Sequence, residues 1–422
     1  MFIPSDLLKD KKILLGVTGS IAVYKSLELV RLFTKAGADV KVVMTPSAKK
    51  FVTPLSFETL TANRVLDDSN ESWSDEHNHI KTTQWADIFV IAPATANTIA
   101  KLANAIADNI LLQCALAYPH TKILAPSANT NMIENPITKA NIKMLSIANY
   151  EVIETQTKEL ACKVNGNGAM AEPIDIFWQT SRALLKDEFY SDRKVIVTGG
   201  GTIEKIDDVR YLSNFSSGKM ASSLATALYC KGADVNLIST KFEDNIPQDI
   251  HTIHVTDSNE MMDFLVASIR IAKKGKLSKA TLMRDEQIHL IQKQPYLFMA
   301  AAVSDYIPQF IQEGKLKKDV LGAKFELSLK QNIDILNTID KDGITTIGFK
   351  AEMDAQNAIS NASNMCKNKN LDAVCLNVLK DSSSFGTDTN KIEFITNQKI
   401  DSIESSDKLS VSFAILNYAK DL

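Results

Sequence analysis

The sequence has no run of about 18 consecutive apolar residues, which leaves it without a candidate for a membrane-spanning helix. Its first residues, MFIPSDLLKDKK, do not place a basic stretch before an apolar one, so we expect no signal peptide. The five cysteines are odd in number and form no CxxC pair. They argue against a disulfide framework and predict reduced thiols in a cytoplasmic protein.

An excess of charge of either sign is also missing. The net charge of -3 over 422 residues argues against nucleic acid or an anionic membrane surface as a dedicated partner. Hydrophobic residues make up 45% of the chain and charged residues 23%, values that are typical of a globular protein with a large core. This length predicts two or three domains.

Two segments of the chain share one plan, at residues 11–45 and 193–240. Each has an apolar run, a glycine-bearing turn, a helical pattern, the tetrapeptide GADV and a second apolar run. Gly37 and Gly232 stand where a helix should stop, and the unbroken Val/Ile/Leu runs favour strands that are covered on both faces. Each segment is therefore predicted to be a βαβ unit that opens a mostly parallel sheet. The predicted class is α/β, with two Rossmann-like open-sheet domains.

A polar link places the domain boundary near residue 190, which gives domains 1–190 and 191–422. The Lys-rich segment 271–293 is expected to be a solvated helical excursion, with a nucleotide-binding or partner-binding role as the alternative. Strands are predicted at 86–94, 121–128, 296–303, 345–352 and 372–378, and helices at 97–117 and 135–147.

Three polar loops follow strands of the first domain. They are the sequences GVTGSIAVYK at 16–25, MTPSAKKF at 44–51 and APATANTIAKLANAIADN at 92–109. Gly19 permits a tight turn, and Ser20 with the free N–H groups of a helix start suits a phosphate, although a purely structural turn explains this loop equally well. The GxGxxG pattern is missing, which disfavours a dinucleotide. Polar loops at the carboxyl edge of a parallel sheet commonly line a ligand crevice.

The sequence EHNHIKTTQWAD places His77 and His79 two residues apart. This HxH pair with Glu76 could hold a metal ion such as zinc, but no nearby third ligand stands at a familiar spacing. Two other interpretations are a surface loop without a role and a general acid or base, because histidine titrates near neutral pH.

The first half of the chain resembles flavin-dependent cysteine decarboxylases. The shared motifs, in order, are GSIAVYK, HI…WAD, APATANTIAKLAN…ADN, APSANTNMIENP and a short polar stretch around Cys162. The second half resembles phosphopantothenate–cysteine ligases through TGGGTIEKIDDVRYLSNFSSGKM, AAVSDY and GFKAE. Together they resemble a bifunctional bacterial family of coenzyme A biosynthesis, over nearly the whole chain. The implied folds are a flavodoxin-like decarboxylase flavoprotein followed by a ligase domain.

The decarboxylase resemblance implies FMN as the electron sink that lets a cysteinyl carboxylate leave as carbon dioxide. It implies that His79 is the active-site histidine, that Asn129 contacts the substrate carboxylate, and that Cys162 protonates the enethiolate product. Gly166 and Gly168 would then let a flap that carries Cys162 close and reopen. The alternative for Cys162 is an idle thiol. The residues expected to bind FMN are Gly19, Ser20, Thr45, Ala94, Thr95, Asn97 and Thr98, with Ser20 on the phosphate.

The first half departs from the family pattern at three positions. Ala128 stands where the family has Met, and Lys163 and Ala169 stand where Gly and Arg are expected. Loss of the Arg removes a contact to phosphate or substrate, for which Lys163 is the candidate replacement.

The ligase resemblance implies an acyl-cytidylate intermediate formed from CTP, with Mg²⁺ expected beside the nucleotide. Arg210 and Asn214 would handle the intermediate and its attack by cysteine, and Lys315 would promote its formation. On the residues alone, the glycines and lysines would serve ATP as well as CTP, and Lys315 would be a solvated side chain. The residues expected to contact the nucleotide or substrate are Asp305, Lys315, Phe349, Lys350, Ala351, Glu352 and Lys369.

The second half departs from the family pattern at three positions. Asp208 stands in place of Pro, Ala221 in place of Gly, and Met365 at a commonly basic position.

The resemblance implies that the ligase joins 4′-phosphopantothenate to L-cysteine and that the decarboxylase yields 4′-phosphopantetheine. It further implies a homo-oligomer, a dodecamer built from decarboxylase trimers and ligase dimers. The first rival is a pair of NAD(P)-binding domains, which the missing GxGxxG disfavours and from which a protein that is yellow with bound flavin would be distinguished. The second rival is a decarboxylase-like domain kept as a non-enzymatic regulatory subunit, against which the complete set His79, Asn129 and Cys162 argues.

Overall fold

Apolar strand sequences set the framework of both sheets in the computed structural model, which describes residues 1–159, 165–278, 288–316, 324–379 and 386–422. Two compact units divide the chain. The first unit is built from Ser5–Leu185 with the described residues Ser278, Ile288 and His289, and the second from Lys186–Leu277 and Leu290–Leu422 together with Met1–Pro4.

The first unit carries a parallel five-stranded sheet in the order β2-β1-β3-β4-β5, with an antiparallel hairpin formed by β6 and β7. This strand order is the flavodoxin-like one. Its strands are β1 (Lys12–Val17), β2 (Asp39–Met44), β3 (Ile88–Ala94), β4 (Lys122–Pro126), β5 (Tyr150–Val152), β6 (Gln156–Glu159) and β7 (Asn165–Ala169). Its helices are α1 (Val23–Lys35), α2 (Pro54–Thr61), α3 (His79–Trp85), α4 (Ala96–Ala103), α5 (Ile110–Ala117), α6 (Thr130–Glu134), α7 (Pro136–Ile147) and α8 (Pro173–Leu185), with a short 3₁₀ turn at Ala48–Lys50.

The second unit carries an eight-stranded sheet in the order β12-β11-β8-β15-β18-β19-β20-β21. Its first six strands are parallel, and β20 and β21 add an antiparallel edge. Read from β8, the parallel part has the Rossmann order 3-2-1-4-5-6.

The strands of this unit are β8 (Lys194–Gly199), β9 (Ile203–Lys205), β10 (Tyr211–Ser213), β11 (Asp234–Ser239), β12 (His251–His254), β13 (Lys276–Leu277), β14 (Leu290–Ile291), β15 (Tyr296–Met299), β16 (Tyr306–Pro308), β17 (Leu329–Gln331), β18 (Thr345–Glu352), β19 (Ala373–Val378), β20 (Thr389–Ile395) and β21 (Ile400–Asp407). Its helices are α9 (Lys219–Cys230), α10 (Ser258–Ala272), α11 (Ile335–Thr338), α12 (Ala358–Asn368) and α13 (Lys408–Ala419).

The predicted α/β class with two open-sheet domains is confirmed, as are the two βαβ units. In both units the strand that begins at the Asp of GADV pairs in parallel with the strand before the helix. Gly37 and Gly232 have φ of 90° and 94°, the left-handed conformation that ends a helix and that favours glycine.

Two predicted elements differ from the structure. The helix expected over 97–117 is broken into α4 and α5, because Ala105 adopts a φ of 53° and the Asn109 side chain caps a new helix by accepting from Leu112 N at 3.1 Å. The helix expected over 271–293 is also wrong: α10 ends at Ala272, and the described residues beyond it form the antiparallel pair β13 and β14. Residues 279–287 of that segment lie outside the described part.

The central strands of the two large sheets are buried on both faces. In the first unit, Leu14, Phe89, Ile91 and Leu124 of the central strands are fully buried in one cluster with helix residues such as Leu111.

Among the described residues, none of the helices combines the length and the apolar character that crossing a bilayer requires.

Truncation of Leu124 tests this packing, because its side chain is fully buried on β4. We expect Leu124→Ala to lower the free energy of unfolding of the first unit by about 3 kcal/mol, the usual cost of a Leu-to-Ala cavity. The chain's 3 tryptophans, at 73, 85 and 178, all lie in the first unit, so their fluorescence during urea unfolding reports on it. The control Lys143→Ala, at an exposed position of α7, should change the value by less than about 0.5 kcal/mol. Equal effects of the two substitutions would contradict this packing.

Candidate functional site

The ends of β1 and β3 are tied together by Thr18. Its Oγ1 donates to the Pro93 carbonyl at 2.7 Å and accepts from Thr95 N at 3.1 Å, and the residue is buried. These strands are neighbours in the middle of the sheet, and the chain leaves β1 towards β2 on one side before returning to β3 on the other. Ligands of open α/β sheets bind at such a switch point, outside the carboxyl ends of the strands.

The turn after β1 lies against the loop after β2. A β-carbon on Gly19 would lie 2.4 Å from Ser47 Cβ, so the close approach requires glycine. Ser20 Oγ accepts from Ala22 N at 3.2 Å and lies 3.0 Å from Ser127 Oγ, beyond the end of β4. Helix α1 begins at this turn, and its N-cap residue, Ala22, has no side-chain acceptor for the first N–H groups. Hydroxyl and amide donors from three strand ends therefore converge here.

The other residues predicted to bind FMN occupy the same edge. Thr45 is buried directly after β2, and its Oγ1 accepts from Ala48 N at 3.3 Å. Ala94 ends β3, and Thr95 caps α4 by accepting from Thr98 N at 3.2 Å. Asn97 is exposed in the first turn of α4. The structure thus brings all seven predicted positions to one edge.

His79 begins α3, which runs back from this edge into β3. Its Nδ1 lies 2.7 Å from Glu71 Oε1, and Trp73 contacts the ring edge to face at 5.6 Å. An ionised carboxylate only accepts, so Nδ1 carries the proton and a neutral His79 presents Nε2 as an acceptor. The side chains of His79 and Glu71 are 21% and 25% exposed, which leaves the pair accessible to a ligand.

His77 has different surroundings. Its Nε2 lies 3.3 Å from Asn70 Oδ1, and burial together with the positive charge of Arg64 lowers its pKa. The described residues contain no group of three or more His, Cys, Asp or Glu side chains arranged to hold a metal ion. The two histidines therefore interact with separate partners.

Asn129 caps α6 at the carboxyl end of β4, and its Oδ1 accepts from Asn131 N at 3.0 Å. The hairpin strand β7 packs directly onto this segment, since Ala128 N donates to the Gly168 carbonyl at 3.1 Å. A β-carbon on Gly168 would lie 2.2 Å from the Ala128 carbonyl oxygen, and one on Gly166 would lie 2.1 Å from Thr130 Oγ1. The two glycines lie within β7 and permit its close packing on this segment, and their role in flap movement stays a prediction.

Cys162 and Lys163 fall in 160–164, which lie outside the described residues. The strands on either side of them, β6 and β7, are paired antiparallel. The base of this hairpin is joined to α1 by charge: Lys25 Nζ lies 3.0 Å from the Met170 carbonyl and 2.9 Å from Glu172 Oε1, and Lys158 on β6 also bonds Glu172. Burial opposes ionisation of Glu172, but the hydrogen bonds from Lys158 and Lys25 lower its pKa overall.

In the second unit, the glycine turn after β8 meets the residues after β15. Ala302 N donates to the Gly200 carbonyl at 2.8 Å, and Thr202 N donates to the Ala302 carbonyl at 3.2 Å. Asn214 Nδ2 donates to the carbonyls of Ala302 and Val303 at 3.3 and 3.1 Å. The predicted residue Asn214 therefore lies at the switch point between β8 and β15.

Arg210 lies in a turn that is organised by the buried carboxylate of Asp207. Asp207 Oδ1 accepts from Arg210 N at 2.6 Å and from Val209 N at 2.8 Å, and Oδ2 accepts from Leu316 N at 3.2 Å. Burial raises its pKa, but these backbone donors outweigh burial and lower it. Arg210 Nη2 in turn donates to the Leu316 carbonyl at 3.0 Å. The exposed Lys315 is thereby held beside the Arg210 turn through its backbone neighbours.

The remaining predicted residues do not all lie together. Asp305 is exposed after β15, and its carbonyl accepts from Asn332 N at 2.8 Å. Phe349–Glu352 form the carboxyl end of β18, where Lys350 pairs with Glu352 at 3.1 Å. Lys369 lies before the amino end of β19, which is parallel to β18, and pairs with Asp334 at 2.8 Å. Lys369 therefore lies towards the opposite edge from Phe349–Glu352.

Sequence reasoning missed four residues that build the two sites, namely Thr18, Glu71, Ser127 and Asp207. Thr18 and Ser127 follow apolar strands directly, the same signal that identified Ser20 and Thr45. Glu71 and Asp207 do not follow a predicted strand in this way. Glu71 meets His79, and Asp207 meets Leu316, only because the folded loops bring these residues together. Met365, at a position expected to be basic, instead packs against the core beside Gly348.

Family models match both parts of the chain. The model described as Flavoprotein covers residues 1–184, and the model described as DNA/pantothenate metabolism flavoprotein C-terminal domain covers 190–274 and 271–422. Together they account for most of the chain and separate it in the same region as the two compact units.

Curated relatives match over the full length. The coenzyme A biosynthesis bifunctional protein CoaBC of Borreliella burgdorferi is 34% identical over 97% of this chain and 98% of its own. The CoaBC protein of Bacillus subtilis is 34% identical over 97% of each chain. A crystal structure of the C-terminal domain of a CoaBC protein is 24% identical, with a TM-score of 0.42, and covers 55% of this chain and 95% of its own.

The resemblance drawn from the sequence motifs is thereby confirmed. This chain belongs to the family of bifunctional coenzyme A biosynthesis proteins, in which a flavoprotein decarboxylase domain and a phosphopantothenate–cysteine ligase domain are joined in one polypeptide.

Proposed function

We propose that domain 191–422 joins 4′-phosphopantothenate to L-cysteine with CTP, through an acyl-cytidylate, and that domain 1–190 decarboxylates the product to 4′-phosphopantetheine with FMN. The observation that carries this proposal is the gathering of two chemically different groups of residues at the switch points of two sheets. Neutral hydroxyls, Asn129 and His79 lie at the first, and Arg210, Asn214 and Lys315 lie at or beside the second.

The first site fits a flavin mononucleotide. Gly19 allows the β1 turn and Ser47 to form a tight cradle, and Ser20 with the start of α1 supplies donors for a phosphate. Thr45, Ala94, Thr95, Asn97 and Thr98 would line the remainder. When bound, FMN would accept an electron pair from the sulfur-bearing carbon of the substrate and return it after carbon dioxide has left.

The protein's own residues bind the substrate and handle its protons. Asn129 holds the departing carboxylate by hydrogen bonding, and His79, oriented by Glu71, offers Nε2 to a substrate proton. Cys162 donates the proton that the enethiolate needs, and its thiol is regenerated from solvent after turnover. The hairpin strands that flank Cys162 in the sequence are joined to α1 through Lys25 and Glu172, and to the Asn129 segment through the hydrogen bond from Ala128 N to the Gly168 carbonyl.

The second site meets the needs of acyl activation. Formation of an acyl-nucleotide expels pyrophosphate, and the charge that develops on the phosphates requires cations. Lys315 would supply one positive charge, and Mg²⁺ bound to the triphosphate would supply another. Arg210 and Asn214 hold the intermediate during attack by the cysteine amine. The other residues that would contact CTP or substrate are Asp305, Phe349, Lys350, Ala351 and Glu352. Lys369 would make such a contact only from the opposite edge of the sheet.

We further propose that the protein acts in the cytoplasm as a homo-oligomer, with decarboxylase trimers and ligase dimers combined in a dodecamer. Large apolar side chains are exposed on each unit, which is usual for surfaces that bind other subunits. Tyr24, Leu55, Trp73, Leu116 and Ile137 are examples on the first unit, and Tyr211, Phe215, Phe310 and Ile311 on the second.

Replacement of Cys162 tests the proton donor. We expect Cys162→Ser to bind flavin and release carbon dioxide from 4′-phosphopantothenoylcysteine but to accumulate the oxidised enethiol product, because a serine hydroxyl is a far weaker acid than a thiol. Mass spectrometry of the products follows this directly. Cys230→Ala, which removes a buried thiol from the second unit, should leave the product unchanged. Normal yields of 4′-phosphopantetheine from Cys162→Ser would refute the assigned role.

Replacement of Lys315 tests the nucleotide site. With 4′-phosphopantothenate and each nucleoside triphosphate in turn, we expect wild-type protein to form the acyl-nucleotide with CTP, and Lys315→Gln to form it about 100-fold more slowly, a loss of about 2.7 kcal/mol of transition-state stabilisation. Lys330→Gln, at an exposed position of β17, should retain the wild-type rate. If both substitutions have the same effect, Lys315 is a solvated side chain without this role.

A further inference from the structure

The segment that contains Lys315 is joined to the Arg210 turn by a set of backbone and side-chain hydrogen bonds. Gln312 N donates to the Ile206 carbonyl at 3.0 Å at the start of the segment. Leu316 lies at its described end, where Asp207 and Arg210 bond its N–H and carbonyl groups at 3.2 and 3.0 Å. Both ends are thus anchored to the turn 206–210.

Asp208 supplies the contact between these ends. Its Oδ2 accepts from Gly314 N at 2.8 Å, and its own N–H donates to the Gly314 carbonyl at 3.5 Å. Gly314 has a φ of 72°, so the chain turns sharply immediately before Lys315. A carboxylate that accepts from a backbone N–H forms a charge-assisted bond, stronger than one between neutral groups. Lys315 is therefore bracketed by Gly314 and Leu316, each bonded to an aspartate of the same turn.

The two aspartates differ in what else they do. Asp207 is buried and also accepts from Val209 N and Arg210 N, so its loss would disturb the turn itself. Asp208 is exposed, and its side chain bonds the segment. It also occupies the position where the sequence resemblance expects proline, whose side chain has no acceptor. The substitution therefore adds a contact that proline could not make.

We propose that Asp208 is a positioning residue for the ligase reaction: its hydrogen bond to Gly314 holds the backbone of Lys315 beside Arg210, so that both cations face the same phosphates. This inference rests on the proposed function, since it assigns Asp208 to the step in which Lys315 promotes acyl-nucleotide formation. Asp208 acts through its acceptor oxygen and needs no contact with the substrate.

The test compares Asp208→Ala with Asp208→Asn in the full-length protein. Asparagine keeps an oxygen that accepts from Gly314 N, whereas alanine does not. We expect Asp208→Ala to speed hydrogen–deuterium exchange of the amides at 312–316 by at least about 10-fold and to lower kcat for acyl-cytidylate formation about 10-fold. Asp208→Asn should stay within about threefold of wild type in both. Attack of cysteine on preformed intermediate should change less than its formation.

Asp263→Ala, which removes an exposed carboxylate from α10, is the matched control and should leave exchange and kcat unchanged. The proposal is overturned if Asp208→Ala exchanges and turns over like wild type. It is overturned as well if Asp208→Asn keeps the slow exchange yet loses activity, because charge and not the hydrogen bond would then matter. Wild-type protein that forms no acyl-nucleotide would refute the proposed ligase function and with it the positioning role, while the exchange data would still decide whether Asp208 holds the segment.

Discussion

Parallel strands all end at the same edge of a sheet, and this constraint decides where the polar residues of this protein meet. Thr18, Thr45, Thr95 and Ser127 are far apart in sequence, yet each follows one of four adjacent strands. The Thr18 hydroxyl, bonded to Pro93 and Thr95, then fixes the ends of β1 and β3 relative to each other. In the second unit the same constraint brings the glycines after β8 to the residues after β15. Both sites follow from one rule of sheet geometry applied twice.

The sequence predicted the strands and the ends of several helices because each of these elements has a local sequence pattern. A buried strand reads as an unbroken apolar run, and a helix stop reads as glycine, as at Gly37 and Gly232. The failures are equally physical. The division of α4 from α5 depends on a side-chain cap by Asn109 and an unusual φ at Ala105, which helical periodicity does not report. The close packing of Gly168 depends on Ala128, a partner 40 residues away, so no local pattern predicts it.

The residues that orient the chemistry were the hardest to predict. Glu71 fixes the tautomer of His79, and Asp207 organises the turn of Arg210, but neither stands in a recognisable pattern around the residue that it serves. Acidic side chains in polar loops are common, and only the folded loop shows which ones accept hydrogen bonds from backbone groups. The positions of His79 and Arg210 could thus be predicted, whereas their orientation could not.

The neutral character of the first site has a consequence for handling the protein. Thr18, Ser20 and Ser127 carry no charge, so on the proposed function a phosphate there would be held by short hydrogen bonds, over distances far smaller than a Debye length. An exposed cation such as Lys315 also attracts a phosphate from farther away, and beyond a Debye length of about 8 Å at physiological ionic strength that attraction is largely screened. In concentrated salt we therefore expect the proposed ligase site to release CTP while FMN stays bound to the first unit. The two activities would then be separated without any mutation.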